Sequence, residues 1–437
     1  MLSEAQPGGR KEIAPRARRY ALGMLTLAYA LNFIDRQILV IIQGPIQEEM
    51  GLSFTQLGLL SGPAFAAVYV TAGIPIAYWA DRGSRRNIIA LAVTVWSGMT
   101  AVSGLAQNYL QLLLARLGVG IGEAGGSPPA HSMISDYYPP EKRATALAIY
   151  SSGLHAGIFF GFVIGGVISE YFGWRAAFMV VGFPGVIFAL VFFLTVEEPE
   201  RGHWESPEIA TYQPTLSETL TLLLRYRSFW YISLGAGFTA FAGYGNGNFM
   251  PLFLERMHGI SGVELGVLLA FGGGGGGLLG TLLGGRFSDA LGTRDPRWYL
   301  WVPAIAACLA LPLSLPYLLL DDVRIVIPML VLVTILINTY LGPCLAITHS
   351  LVPPAMRAIT SAVLFFILNL VGLGLGPLVA GIMSDYFTPI YGDDGLRYAM
   401  LVVAAISSLG ILMFFLAAKN LPRDMALRDS IGNSTSH

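Results

Sequence analysis

The chain is poor in charge and nearly devoid of cysteine. Of 437 residues, 12% are Asp, Glu, Lys or Arg, about half the share of an ordinary soluble domain, so a soluble globular domain is excluded. The two cysteines, Cys308 and Cys344, both fall inside apolar runs, which excludes a disulfide framework or a cysteine metal cluster. No Gly-x4-Gly-Lys-Ser/Thr segment is present to cradle phosphates, which disfavours an ATP-driven pump. No nucleophile or metal constellation suggests an enzyme, no cofactor is implied, and nucleic acid is not an expected partner.

What the chain has instead is long apolar runs: 54% of its residues are hydrophobic and its mean hydropathy is +0.62. Twelve runs stand near positions 18–43, 56–80, 87–106, 109–137, 142–169, 175–195, 227–257, 262–290, 298–319, 324–350, 355–386 and 396–418. Each can cross about 30 Å of hydrocarbon at 1.5 Å per residue, so the expectation is an all-α membrane protein of twelve transmembrane helices. With the N-terminus inside, 20 of the 26 Lys and Arg residues fall on the inner side and 4 on the outer, while Arg36 and Arg116 lie within apolar runs. Positive residues in short loops are retained in the cytoplasm, so both termini are expected there. Residues 1–20 are polar and basic and the first run is too long for a signal peptide, so helix 1 is expected to stay as an anchor.

The chain also repeats itself. Ala77-Tyr-Trp-Ala-Asp81-Arg82-Gly83-Ser84-Arg85-Arg86 recurs as Gly285-Arg-Phe-Ser-Asp289-Ala-Leu-Gly292-Thr-Arg294, and Pro139-Pro140-Glu-Lys-Arg143 as Pro353-Pro354-Ala-Met-Arg357. Glu170-Tyr-Phe recurs as Asp385-Tyr-Phe. Asp289 follows Asp81 by 208 positions, Arg357 follows Arg143 by 214 and Asp385 follows Glu170 by 215. A near-constant offset predicts two six-helix bundles related by a pseudo-two-fold axis, with the site between them. The expected division is residues 1–196 for the first bundle, 197–226 for a polar cytoplasmic linker, 227–420 for the second bundle and 421–437 for a tail.

Both copies of the Asp-containing loop resemble the signature loop of the major facilitator superfamily of membrane transporters. That resemblance implies that Asp81 reaches the N-terminus of helix 11 near Arg357, and Asp289 that of helix 5 near Arg143, where helix dipoles and free N–H groups favour a carboxylate. Such latches would close the cytoplasmic side in an outward-open state. Arg82, Arg85 and Arg86 make the first latch the stronger; Arg294 belongs to the second. Ala77, Ser84 and Ala290 depart from the family pattern.

The sharpest residues are Asp35 and Arg36 in helix 1 and Arg116 and Glu123 in helix 4, because a charge in hydrocarbon costs several kcal/mol unless it is paired or wet. At 1.5 Å per residue Asp35 lies about 22 Å from the cytoplasmic end of helix 1, level with Arg116, and Glu123 sits about 10 Å deeper on the same helix face. A carboxylate beside an arginine stays ionised, and one that loses that partner takes up a proton. One reading is therefore a proton relay, with Glu123 titrating, Asp35 as its partner, and Arg36 and Arg116 alternating between carboxylates and an anionic substrate. The other is a permanent ion network that only fixes helix 1 against helix 4. His131 in helix 4 and His155 in helix 5 could join the relay or pack as neutral hydrogen-bonded rings.

Helix 7 reads Ala242-Gly-Tyr244-Gly-Asn246-Gly-Asn248-Phe249-Met250-Pro251, a run of turn formers that predicts a broken helix exposing backbone to a cavity. Tyr244, Asn246 and Asn248 are candidate substrate contacts, with Ser127, Asn338, Tyr340 and Asn369. Glycine rows at 157, 161, 165 and 166 in helix 5, and at 372, 374, 376 and 381 in helix 11, permit close approach or sliding. Gly272 to Gly277 in helix 8 read as a contact or bending surface.

Leu31-Asn-Phe-Ile-Asp35-Arg36-Gln with Ala115-Arg116-Leu-Gly-Val-Gly-Ile-Gly-Glu123-Ala resembles the spinster family, over about positions 20–420. The resemblance implies proton-linked or facilitated movement of lysophospholipids or sphingoid phosphates, with a monomeric protein of the bacterial inner membrane carrying an amphiphile whose head group meets Arg36 and Arg116. A small organic anion transporter, a multidrug exporter and, more remotely, a receptor without flux stand as alternatives.

Overall fold

The computed structural model describes residues 14–204 and 215–434, and these are helical throughout apart from turns. Residues 205–214, in the middle of the expected linker, lie outside the described set. Helix 1 is Pro15–Ile41, continued by a short helix Gln43–Met50. Helix 2 is Phe54–Ser61 plus Pro63–Arg82, and helix 3 is Arg85–Ser103. Helix 4 is Tyr109–Glu123 plus Ser127–Tyr137, and helices 5 and 6 share Pro140–Thr195, turning at Gly173. A linker helix, Leu216–Arg225, precedes helix 7 at Arg227–His258. Helix 8 runs through Gly262–Leu269, Ala270–Gly275 and Gly276–Gly292, and helix 9 is Trp298–Leu319. Helix 10 is Val323–Ile337 plus Leu341–Leu351. Helix 11 runs through Arg357–Leu368, Asn369–Leu375 and Gly376–Tyr391, and helix 12 is Asp394–Ser434.

Eight helical stretches are long and apolar enough to cross a bilayer by length and composition alone, one of them holding helices 5 and 6. Helices 3, 4 and 7, shorter, interrupted or richer in polar residues, complete the twelve. The termini are built locally. Ser53 and Gln56 form a capping box that starts helix 2, and Ser84 and Asn108 cap helices 3 and 4 with side-chain oxygens, so first-turn N–H groups at these three starts find acceptors. Gly173 has φ 80°, a left-handed conformation that glycine adopts without steric cost, and this joins helices 5 and 6 with almost no loop.

Two expectations about breaks are corrected. Helix 7 is continuous from Arg227 to His258, because hydrocarbon offers no substitute partner for an open backbone. Its amides are used internally instead: Asn248 Nδ2 donates to the Tyr244 carbonyl at 2.9 Å and Asn246 Nδ2 to the Met400 carbonyl of helix 12 at 3.2 Å. Interruptions stand in helices 2, 4 and 10, which the apolar pattern presents as single runs; helix 2 breaks at Gly62, between Ser61 and Pro63. Helix 4 stops at Glu123 and resumes at Ser127; helix 10 stops at Ile337 and resumes at Leu341, the same place 214 positions on. Proline rings cause this. Pro128 and Pro129 clash with the carbonyls of Ala124 and Gly125, and Pro343 with that of Thr339. Helices 8 and 11 each widen into a π-helical segment, at Ala270–Gly275 and Asn369–Leu375.

Glycines bring helices 5 and 11 against helices 1 and 7. A Cβ on Gly157 would lie 2.4 Å from the Ala30 carbonyl oxygen, and one on Gly376 2.6 Å from that of Phe241. The apolar core divides in a way that positions the site. One cluster joins both bundles, with Ile38, Leu57 and Phe178 meeting Phe249, Phe253, Leu265 and Met400. A second is drawn almost entirely from the first bundle and a third from the second bundle with the linker helix. The shared cluster lies toward the face that carries the Gly173 and Gly259 turns, here the far face. The separate clusters lie toward the face with both termini and the Arg-rich turns, here the basic face. Among the described residues, every hydrogen bond between the bundles is at the far face. The bundles are joined there and parted on the basic side.

Candidate transport site

Helix 1 and the first segment of helix 4 bring the four intramembrane charges together. Arg36 Nε donates to Glu123 Oε2 at 2.6 Å; a fifth of the Arg36 side chain is exposed and none of that of Glu123. Arg116 lies one layer behind, its Nη1 3.5 Å from the Asp35 backbone carbonyl. The Asp35 carboxylate turns toward helix 3, where Ser97 Oγ donates to its Oδ2 at 3.5 Å. Asp35 is 1% exposed, Arg116 2% and Glu123 2%. Asp35 Oδ1, Arg116 Nε and Glu123 Oε1 have no hydrogen-bond partner. Such a cluster carries one formed ion pair and spare capacity on three of its groups. Leaving these unpaired is costly in a dry interior, so the arrangement favours any rearrangement that supplies partners.

Aromatic rings fix Arg36. Its guanidinium carbon lies 5.1, 4.7 and 5.5 Å from the ring centroids of Phe33, Phe65 and Tyr69, within the reach of cation–π attraction. Tyr29 stacks on Tyr150 with centroids 4.6 Å apart, and His131 meets the same Tyr150 edge-on at 5.2 Å. The Tyr150 hydroxyl is 3.5 Å from Ser127 Oγ. Sequence reasoning missed Phe33, Phe65, Tyr69, Tyr29 and Tyr150. Phe33 lies three residues before Arg36, one helical turn, which was the available signal; the rings from helices 2 and 5 carry none.

Among the described residues, the second bundle presents Tyr244 to this cluster and no Asp, Glu, Lys or Arg. Tyr244 touches the separate apolar clusters of both bundles, and Tyr340 belongs to the rim of the second. Asn246 and Asn248 are buried and bonded as described, toward helix 12 and their own helix. Gly277 lies between the His155 ring and the Asn338 side chain, so helices 5, 8 and 10 converge where those two residues were expected to act. Asn338 Nδ2 donates to the Thr334 carbonyl at 2.8 Å, and His155 Nδ1 has no partner. Asn369 opens the π-helical segment of helix 11.

On the basic face the expected latch residues bond within their own bundles. Arg143 donates to the Ser135 carbonyl at 2.8 Å, Arg357 to the His349 carbonyl at 3.3 Å, and Asp289 accepts from the Tyr299 hydroxyl at 2.8 Å. The Asp81 side chain lies outside the described set. Arg82 lies over the Tyr78 ring and Arg86 over that of Phe193, while Arg294 is exposed. Arg85 is an anchor rather than a surface charge: it is buried, pairs with Asp136 and with Glu198 at 2.8 Å, and donates to Ser132 and the Pro199 carbonyl. Burial opposes ionisation of Glu198, but the Arg86 N–H, Arg85 and Ser84 outweigh it and hold the carboxyl below its ordinary range. The start of the linker is thus fastened to the turn between helices 2 and 3.

Twelve helices in two matched bundles, joined at one face and parted at the other, with an ion pair held between helices 1 and 4, define a membrane transporter rather than an enzyme. The chain belongs to the major facilitator superfamily, whose family model matches residues 25–374, and it is of the spinster type. A crystal structure of a bacterial homologue of the human lysosomal transporter Spinster, in an inward-facing and unoccupied conformation, superposes with a TM-score of 0.87 at 34% identity, covering 94% of this chain and 99% of that one. The chain is also 34% identical to an MFS-type efflux pump of Mycolicibacterium smegmatis (strain ATCC 700084 / mc(2)155), over 94% of this chain and 95% of the pump. A sphingosine-1-phosphate transporter SPNS2 of Xenopus tropicalis is 28% identical over 55% of this chain and 47% of its own length.

Proposed function

We propose that this transporter moves an amphiphilic lipid-like molecule of the lysophospholipid or sphingoid-phosphate kind by alternating access, coupled to protons through Asp35, Arg36, Arg116 and Glu123. The observation that carries the reading is the Arg36–Glu123 ion pair. Arg36 is part exposed and ringed by aromatic groups, so an anionic or zwitterionic head can bind it from the parted side. Doing so takes Arg36 from Glu123, and a buried carboxylate without its cation takes up a proton. The apolar second bundle would receive the tail. The Lys and Arg distribution supports a cytoplasmic basic face, and in this reading the protein works as a monomer in a bacterial inner membrane, with no cofactor and the proton as its coupling ion. The relation to a sphingosine-1-phosphate transporter supports a lipid cargo. The efflux pump, similar over nearly the whole chain, supports the second reading, a multidrug exporter.

The test is counterflow and proton movement in proteoliposomes, using a fluorescent lysolipid or sphingosine-phosphate analogue. Lipid movement accompanied by protons, and uncoupled in Glu123→Gln, agrees with the proposal. Lipid movement without protons makes the protein a facilitator, and movement of cationic dyes alone makes it a drug exporter.

A further inference from the structure

We infer that Glu170 and Asp385 are a duplicated pair of catches that hold the far gate shut, each a carboxylate on one bundle capping the first turn of a helix in the other. Glu170, at the far end of helix 5, accepts the Val263 N–H of helix 8 on its Oε2 at 2.6 Å. Asp385, at the far end of helix 11, accepts the Phe54 and Thr55 N–H groups of helix 2 at 2.9 and 2.8 Å. These donors belong to the first turn, which has no partner within its own helix, and the dipole there favours an anion. The two caps are equivalent by position: Asp385 follows Glu170 by 215 residues and Val263 follows Thr55 by 208. The same offsets relate the two Asp-containing loops and the two Glu/Asp-Tyr-Phe motifs.

Each catch stands above a crossing in which both helices contribute glycine. A Cβ on Gly381, four residues before Asp385, would lie 2.4 Å from the Phe54 carbonyl oxygen, and one on Gly58 2.3 Å from that of Pro377. At the other crossing a Cβ on Gly166, four residues before Glu170, would lie 2.6 Å from the Gly262 carbonyl oxygen, and one on Gly266 2.6 Å from that of Phe162. Gly58 and Gly266 are again 208 apart, and Gly166 and Gly381 are 215 apart. Gly262 combines φ +56° with a position where a Cβ would lie 2.0 Å from Glu170 Oε2, so only a residue without a side chain lets that carboxylate reach Val263. The bundles meet backbone to backbone on both sides of the axis, and the carboxylates lock the contact. The catches are unequal: Asp385 holds two N–H groups and Glu170 one. Opening the far face must break these three hydrogen bonds to carboxylates, together with the one Arg256 donates to Gln47 Oε1 at 2.7 Å, and removing the carboxylate acceptors shifts the resting population toward the outward-open state.

The experiment measures distances in the full-length protein in nanodiscs. Spin labels are placed at Gln107 and Asp393 across the far face and at Lys142 and Ala355 across the basic face, with Cys308→Ser and Cys344→Ala removing the native thiols. Asp385→Ala is expected to raise the ratio of far-open to far-closed molecules about tenfold, as expected for lost hydrogen bonds to a charged group. Glu170→Ala should give a smaller rise, and the double variant close to the product of the two. Far-face distances that lengthen while basic-face distances shorten support the inference. Asp385→Asn, which keeps an acceptor, should fall between wild type and alanine. Gly262→Ala, which leaves both carboxylates in place, should act in the same direction as Glu170→Ala. These two variants decide the matter if the double variant does not fold. Far-face distances unchanged in Asp385→Ala, Glu170→Ala and Gly262→Ala would overturn the inference.

Discussion

The two bundles are mechanically alike and chemically unlike. Both halves break the fourth helix of their repeat at the same point, both start that helix with a side-chain cap, Asn108 and Asp322, and both use glycine to bring their fifth helix against their first. Yet Glu123, the last residue before the break in helix 4, corresponds to Ile337 in helix 10, and Arg116 to Leu330. Duplication preserved the joints and released the chemistry. In the proposed mechanism rocking needs two matched halves, but a titrating pair is needed only once. A second set of charges in hydrocarbon would cost several kcal/mol for each group.

The largest effect should come from erasing that difference. Glu123→Gln is expected to flatten the pH dependence of uptake, the ratio of rates at acid and neutral pH falling to about one because no other group there loses a cation. Ile337→Gln, its counterpart, should leave the pH profile in place. A profile equally altered by both would mean the asymmetry has no bearing on coupling. Next in size, Arg36→Lys retains charge but loses the planar group that lies among Phe33, Phe65 and Tyr69. A roughly tenfold weaker binding of anionic amphiphile is expected, with little change for a neutral one, read by fluorescence titration.

The shared mechanics should respond equally in both halves. Gly157→Ala places a methyl 2.4 Å from the Ala30 carbonyl oxygen, and its counterpart Gly372→Ala places one 2.6 Å from Ala240 Cβ. Each should cost about 1–3 kcal/mol, seen as similar falls in thermal stability in detergent; a fall in only one would break the symmetry. The smallest effect concerns the linker. The Glu198 carboxyl is held below its ordinary range, so its contribution is complete above the unfolded value and is lost as pH falls through the folded one. Hydrogen-exchange protection at residues 197–204, taken relative to the intrinsic rate at each pH, should therefore be constant around neutrality and fall only below the ordinary carboxylate range, whereas protection already falling near neutral pH would contradict the clamp.

Much of this was legible in the chain. Twelve runs, the repeat offsets and the four intramembrane charges were all visible, because hydrocarbon imposes length and exposes every charge as an anomaly. Helix 7 was misread for an instructive reason: Gly and Asn predict a break in water, but in lipid the backbone stays paired and the amides find carbonyls. The real breaks lie just before prolines 63, 128, 129 and 343, which apolar periodicity passes over. Arg85 reads as a loop charge until Asp136 and Glu198, 51 and 113 residues away, fold onto it. Likewise the pairing of Arg36 with Glu123 in preference to Asp35 depends on which faces of helices 1 and 4 meet, and spacing within one helix carries no such information.

The central claim is that one bundle holds the proton chemistry for both. Its most direct test is proton movement in liposomes containing the purified protein and an internal pH dye, on adding a fluorescent lysolipid across a set gradient. The account predicts protons moving with the lipid in the wild type and lipid moving without protons, or not at all, in Glu123→Gln. Proton movement in Glu123→Gln equal to wild type would contradict it.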